Sequence, residues 1–282
     1  MTKVLVIGDA IIDHYAYGRV NRPSPEDRSV SVFDLESECC KLGGALNVAA
    51  NIASLNSALN LTVSSVFTLF CKEELIKRGI GYDGIMVPEE FSLVKSRFVN
   101  LETNKQIVRV DRNKKFCEKV LVSYNKHTLW HLDLSKVECV VISDYEKGVI
   151  DSKTIDHLKK FRGVVFVDTK KPDLTIWNDI PNCILKVNFN EWHNAKQQSK
   201  HPVIVTVGEK GAELHNTQDW HDTIEFPVEE IENPDVVGCG DTFLAGLVVK
   251  YLECHDISDS IKYANKAASE AAKHQGTVEV KL

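Results

Sequence analysis

Val4-Leu5-Val6-Ile7, closed at once by Gly8-Asp9, is a short run of branched aliphatic residues bounded by a turn former and a carboxylate. A run this short and this apolar reads as a strand buried on both faces, since a strand with one wet face would alternate. The same pattern recurs at Cys139 to Ile142, Val164 to Val167, Ile184 to Val187 and Val203 to Val207. Each run ends in polar residues or glycine: Ser143-Asp144, Asp168-Thr169, Asn188 and Gly208. Helical stripes lie where crossovers belong. Ala45, Val48, Ala49, Ile52 and Leu55 share one face over 45 to 55, and Ile257, Ile261, Ala264, Ala268 and Ala271 another over 257 to 273. The expected fold is α/β, a mostly parallel sheet flanked by helices. In open sheets of this kind ligands bind beyond the carboxyl ends of the strands, so the polar endings form a line of candidate site residues, some serving only to cap the next helix. The alanine-rich second stripe suits either close helix packing or a flat ligand.

Two regions break the crossover rhythm. Residues 14 to 37 and 93 to 112 alternate apolar and polar positions, as in Gln106-Ile107-Val108-Arg109-Val110-Asp111, which predicts antiparallel strands with one wet face. The second region turns near Glu102-Thr103-Asn104-Lys105 as a hairpin, and the two together are expected to form a small lid. With no repeat, low-complexity tract or Gly/Ser-rich linker, residues 1 to 282 are expected to form one domain.

Composition excludes several classes. The chain has 34 Lys plus Arg against 40 Asp plus Glu, a formal charge of −6, and no basic run that would coat a nucleic acid. No window approaches the roughly 18 apolar residues that cross a bilayer, and the first run lacks the basic flank of a signal peptide. The cytoplasm is the expected compartment. The 8 cysteines include no C-x-x-C pair and are read as reduced thiols. His127 and His131 lie four apart without the glutamate of a zincin motif and are read as a solvated pair.

The sharpest local feature is Asp235-Val236-Val237-Gly238-Cys239-Gly240-Asp241-Thr242-Phe243, followed by the apolar helical run Leu244 to Leu252. Glycines that open a helix expose successive amides, and the helix dipole adds positive potential, so the segment suits a phosphate. Asp241 beside such an anion site makes sense as a base for an attacking hydroxyl; the plainer alternative is a glycine turn with an aspartate in the first helical turn. A dinucleotide fingerprint fails, because Phe243 stands at the third glycine position and no apolar strand precedes Gly238. The Walker pattern is absent.

The Gly-Cys-Gly-Asp segment resembles the C-terminal signature of the ribokinase-like, or PfkB, carbohydrate kinases. Leu42-Gly43-Gly44-Ala45-Leu46-Asn47 is similar to their N-terminal signature. Between them, in family order, stand Ser143-Asp144-Tyr145-Glu146-Lys147-Gly148, Val167-Asp168-Thr169-Lys170, Asn188-Phe189-Asn190-Glu191 and Thr206-Val207-Gly208-Glu209-Lys210-Gly211, with Tyr263-Ala264-Asn265-Lys266 after Asp241. The resemblance runs nearly end to end and implies a doubly wound sheet. Within the family the chain looks most like the heptose 7-phosphate kinases, on Gly8-Asp9-Ala10-Ile11-Ile12-Asp13-His14-Tyr15, Arg22-Pro23-Ser24-Pro25-Glu26, Lys95-Ser96-Arg97 and Gln106 to Asp111.

That resemblance implies an ATP-dependent kinase acting on the anomeric hydroxyl of heptose 7-phosphate, with other acceptors such as fructose, ribose or a nucleoside as the rival reading. It implies Asp241 as base and the Gly238, Cys239 and Gly240 amides as the cradle of the transferred phosphoryl. Asp13, Gly43, Gly44 and Asn47 would bind sugar; Lys95, Arg97 and Arg109 would meet its phosphate, unless they are merely solvated strand charges. Asp144 is either a sugar contact or a helix cap. Asn188 and Glu191 would organise Mg²⁺ through water, Lys170 would meet phosphate, and Thr206, Gly208, Gly211 and Asn265 would line the ATP site. A K⁺-type monovalent cation near Asp235 would have only the carbonyl of Val237, which replaces a frequent threonine. The stretch from Thr68 to Gly84 is abbreviated relative to the family, leaving the shape of that sheet edge open. Exposed lid edges would allow a homodimer. Bifunctional relatives continue into a nucleotidyltransferase domain, and since this chain closes soon after Gly276-Thr277, a separate nucleotidyltransferase is the expected partner.

Overall fold

The computed structural model describes residues 2–128, 133–215 and 223–282. Strand β1 (Lys3–Gly8) passes almost directly into a long strand, β2 (Ala10–Pro23), which returns as β3 (Ser31–Gly44) and enters helix α1 (Ala45–Leu55). There follow β4 (Asn60–Phe67), α2 (Leu69–Lys77), β5 (Gly81–Met86), the hairpin β6 (Leu93–Asn100) and β7 (Lys105–Arg112), and α3 (Glu118–His127). The chain continues through β8 (Cys139–Asp144), α4 (Ser152–Leu158), β9 (Val164–Thr169), β10 (Cys183–Asn188), α5 (Phe189–His193) and β11 (Val203–Thr206). Strands β12 (Ala212–His215) and β13 (Thr223–Phe226) precede the closing helices α6 (Cys239–Cys254) and α7 (Ile257–Ala272).

Among the described residues, 9 strands form one sheet in the order β13-β12-β11-β10-β9-β8-β1-β4-β5. From β11 across to β5 every pairing is parallel, and β12 and β13 add an antiparallel edge. The five apolar runs of the sequence are strands of this sheet. They are buried on both sides, and alternate residues feed different cores. Val4, Val6, Val63 and Val141 pack under α1 and α6, whereas Leu5, Ile7, Val140 and Ile142 join Val165, Val167 and Trp177 on the other face. The abbreviated Thr68 to Gly84 stretch still supplies α2 and an edge strand, with β5 in parallel register from Thr62↔Gly81 to Phe67↔Met86. The alanine stripe of α7 is packing: a Cβ on Gly246 of α6 would lie 3.1 Å from Ala264 Cα and 3.1 Å from Ala267 Cβ.

The lid is a separate 4-stranded sheet, β3-β2-β6-β7. It departs from expectation in two ways. Its first hairpin spans Ala10–Pro23 and Ser31–Gly44 rather than about 14 to 37, because Ile11, Ile12 and Leu42 at its base are buried and hide the alternation. It is also mixed: β2 and β6 run parallel between two antiparallel pairs.

The chain starts at β1, builds outward to β5, then returns to place β8 on the other side of β1. The carboxyl ends of β1 and β8 therefore flank a topological switch point, where crevices form in open α/β sheets. Gly8 makes that approach close, for a Cβ there would sit 2.1 Å from Ser143 O. Gly8→Ala is expected to cost about 1–3 kcal/mol by forcing the strand ends apart; urea denaturation measures it, and an unchanged midpoint would refute the packing argument.

Candidate active site

Helix α6 begins at Cys239 behind Gly238, whose φ of 79° is left-handed. Glycine is required there twice over, since a Cβ would also lie 3.0 Å from both Asn47 Nδ2 and Thr277 Cγ2. The turn spends one of the three amides assigned to phosphate: the Cys239 N–H donates to Val236 O at 3.3 Å. Gly240 remains in the first turn, where helical geometry leaves amides without an intrahelical acceptor. Burial pushes the Cys239 thiol up to about 11, and its Sγ donates to Asp235 O.

Asp241 is buried, 4% exposed. Both carboxylate oxygens accept hydrogen bonds: Oδ2 from Asn47 Nδ2 at 2.9 Å and Oδ1 from the Tyr145 hydroxyl at 2.7 Å. Burial pushes its pKa up to about 6, against the pull of these two donors. Asn47 is itself oriented, because Asn51 Nδ2 donates to Asn47 Oδ1 at 3.1 Å and leaves the Asn47 amide facing Asp241. Asn47 thus orients the carboxylate rather than standing free for a sugar.

Tyr145 follows β8 at the switch point. Its loop is pinned by Asp9, fully buried at the end of β1, which accepts from the amides of Tyr145 (2.8 Å), Lys147 (3.0 Å) and Val149 (3.2 Å). Asp144 does not cap a helix. Its carboxylate accepts from Thr169 Oγ1 at 2.9 Å, Lys171 Nζ at 3.0 Å and the Glu146 amide at 2.9 Å, tying β8 to β9; Asp151 caps α4 instead.

A second cluster lies beside α6. Lys186, from the apolar run of β10, points its Nζ to within 3.0 Å of where a Cβ on Gly240 would be and pairs with Asp168 at 2.8 Å. Burial opposes the ammonium charge, but Asp168, Glu191 and Asp241 together outweigh it and hold Lys186 protonated. Asn188 and Glu191 form a reciprocal capping box at the start of α5, and Glu191 also pairs with Lys170 at 2.9 Å. Among the described residues no group of three His, Cys, Asp or Glu is placed to hold a metal. The oxygen donors of Asn188, Glu191 and Asp168 are of the kind Mg²⁺ takes, and because both carboxylates already face lysines the set fits a hydrated ion held through water. Asp235 accepts the Val237 and Gly276 amides at 2.9 and 2.8 Å, tying the glycine turn to the C-terminal segment.

One lid face carries cations in register: Lys41, Asp13, Lys95 and Asp111 share one cross-strand row, and Cys39, Tyr15, Arg97 and Arg109 the next. Asp13 is ion-paired with buried Arg97, and Gly43 makes room, since a Cβ there would lie 2.2 Å from Asp13 Oδ2. Gly44, at φ 57°, makes the turn into α1. Lys95 Nζ sits 4.4 Å from the centre of the Tyr145 ring, and Lys170 Nζ 4.8 Å. Arg109 is not brought to the cleft: it lies on the outermost strand, 51% exposed, and pairs with Asp111.

Among the residues expected to meet nucleotide, Thr206 ends β11 one residue before the sequence run does, because the Val207 N–H turns to Gly211 O at 2.8 Å. Gly208 and Gly211 have φ of 63° and 91°, and a Cβ on Gly211 would strike Phe226 O at 2.2 Å. Asn265 is buried and donates to Phe226 O at 2.8 Å beside a cavity of about 440 Å³ lined by Ile224, Pro227, Ser258 and Lys262. A larger hollow of about 680 Å³ opens at the opposite ends of the strands, near Glu138 and His201, and shares no residue with the Asp241 cluster. His127 closes α3, and His131 lies outside the described residues.

Residues 184–281, which include the glycine turn and Asp241, match the family described as pfkB family carbohydrate kinase. The chain is 30% identical over 304 residues to bifunctional protein HldE of Helicobacter pylori strain J99, covering 98% of this chain and 64% of the relative. The last third of the chain thus carries the match to pfkB family carbohydrate kinases. Bifunctional protein HldE of Helicobacter hepaticus is 28% identical, matched over 95% of this chain and 59% of its own length. The chain spans about three fifths of the length of these curated relatives. Its fold matches phosphofructokinase-2 from Escherichia coli in complex with potassium (TM-score 0.74, 15% identity, 100% of this chain and 96% of that one). It also matches ribokinase from Cryptococcus neoformans in complex with ADP (TM-score 0.70, 15% identity, 98% and 96%).

Tyr145, Lys186 and Lys41 escaped the sequence reading as site residues, and Asp9 entered it only as one of the polar strand endings. Lys186 had a signal: a lysine inside Ile184-Leu185-Lys186-Val187 breaks an otherwise buried run. Lys186→Met would leave the partly buried Asp168 without its lysine, and is expected to destabilise the fold by about 1–3 kcal/mol in urea denaturation. Adding Asp168→Asn should recover part of that loss; no recovery would contradict the pairing.

Proposed function

We propose that the protein is an ATP-dependent sugar kinase that phosphorylates the anomeric hydroxyl of heptose 7-phosphate to give heptose 1,7-bisphosphate. The observation that carries the reading is the Asp241 carboxylate, buried at the start of α6 and raised to about 6, a base matched to neutral pH. The hydroxyl oxygen would bond to the γ-phosphorus as the bond from that phosphorus to the β,γ-bridging oxygen breaks. The hydroxyl proton passes to Asp241, and ADP leaves. Lys186 and the Gly240 amide, with Gly238 beside them, face the charge on the transferring group. Mg²⁺, when bound through water near Asn188 and Glu191, supplies further neutralisation of the phosphates. Lys170, Thr206, Gly208, Gly211 and Asn265 form the nucleotide side.

The phosphosugar assignment rests on the similarity to bifunctional HldE proteins and on the lid face, where Lys41, Lys95 and Arg97 offer cations to an anionic acceptor while Asp13, Gly43 and Gly44 shape the floor. Arg109 would join only at the rim. A monovalent cation near Asp235 belongs to the same reading. Lid closure over the sugar would keep water from competing for the phosphoryl group. Strand β7 is exposed along its length, with Ile107, Val108 and Val110 open to solvent, and would be the surface for a homodimer. The expected setting is the cytoplasm, with a nucleotidyltransferase acting on the product.

ADP release across a panel of acceptors tests the substrate. Heptose 7-phosphate should exceed ribose, fructose and nucleosides in kcat/KM; a neutral sugar leading the panel would overturn the heptose assignment. Asp241→Asn should lower kcat by about 10² to 10⁴-fold with little change in ATP affinity. Unchanged turnover would remove Asp241 as base. Binding of sugar phosphate without turnover of any acceptor would make the protein a non-catalytic sensor.

A further inference from the structure

We propose that Tyr145 is a positioning residue that couples the lid to the catalytic base: its hydroxyl fixes Asp241 while its ring seats Lys95 of the lid and Lys170 of the core. The inference rests on the kinase reading above and adds to it a residue on which base and lid depend together.

Three observations converge on this side chain. The hydroxyl donates to Asp241 Oδ1 at 2.7 Å, complementing Asn47 on the other oxygen, so the carboxylate plane is set from two sides. Burial and the neighbouring carboxylate hold the Tyr145 hydroxyl well above its ordinary pKa, which keeps it a donor rather than a second base. The ring lies 4.4 Å from Lys95 Nζ and 4.8 Å from Lys170 Nζ, and an aromatic face attracts a cation at such distances.

The backbone beneath the ring is held firmly. Asp9 grips the amides of Tyr145, Lys147 and Val149, while Glu146 (φ 56°) and Gly148 (φ 115°) adopt left-handed conformations that define the turn. Lys95, by contrast, sits on β6, in register with Asp13 of β2, and travels with the lid sheet. Any opening of the lid moves Lys95 relative to a ring that stays with Asp241. An anionic acceptor gripped by Lys95 is thereby delivered to the edge of the side chain that orients the base.

Two substitutions separate the roles. Tyr145→Phe keeps the seat for both lysines and removes the donor; kcat for heptose 7-phosphate should fall about tenfold with KM within about twofold. Because the lost bond stabilised the ionised carboxylate, the Asp241 titration, followed by ¹³C-carboxyl NMR and assigned with Asp241→Asn, should move to higher pH. Tyr145→Leu removes the seat as well and should raise the KM for heptose 7-phosphate about tenfold, with a smaller rise in the KM for ATP through Lys170. An unshifted Asp241 titration in the Phe variant, or an unaltered phosphosugar KM in the Leu variant, would overturn the proposal. Failure of the wild-type protein to phosphorylate any sugar would instead refute the kinase reading, and the titration, which needs no substrate, would still decide whether Tyr145 governs Asp241.

Discussion

A carboxylate removed from water must find donors or give up its charge, and Asp241 finds them on two elements far from its own helix in sequence. Asn47 reaches it from α1, and Tyr145 from the loop after β8. Much of the surrounding structure serves those two bonds. Asn51 orients Asn47, Asp9 pins the Tyr145 loop, and Gly238 lacks the side chain that would collide with Asn47. The strand order places β1 and β8 side by side, so that Asp9 and Tyr145 can meet at one end of the sheet. Donors of this kind lower the pKa and burial raises it; burial prevails, leaving the group poised near neutrality.

The acidic balance of the chain acquires a local meaning here. A formal charge of −6 would hinder the binding of anionic substrates if it were spread evenly. It is not: Lys41, Lys95, Arg97, Lys170 and Lys186 gather around the cleft, while Glu36, Glu102 and Glu253 lie at the surface. Several cleft cations already face carboxylates, which limits the cost of burying them. An incoming phosphate would exchange one anionic partner for another.

The sheet was legible in the sequence because burial on both faces leaves little choice but continuous Val and Ile runs, and α1 was legible to its ends because Ala45, Val48, Ala49, Ile52 and Leu55 keep a helical period. The base of the lid was not, since Ile11 and Ile12 are buried in succession and erase the period that marks a half-wet strand. Glycine positions announced the turn that opens α6. What sequence could not supply was the pairing of side chains far apart in the chain. Tyr145 and Asp241 are separated by 96 positions, and only the switch-point topology brings them within 2.7 Å. The same holds for Asp144, whose place in the motif gave no sign that Thr169 and Lys171 would claim it. Arg109 failed for the opposite reason: it alternates correctly but lies one strand too far out.

The central claim is that Asp241 is a buried carboxylate held ready as a base by the fold itself. Its titration in the wild-type protein, read by ¹³C-carboxyl NMR without substrate and assigned by its loss in Asp241→Asn, tests this most directly. A midpoint near the value of about 6 is expected. A midpoint of about 4, the range of an aspartate in open water, would contradict the burial and the role built on it.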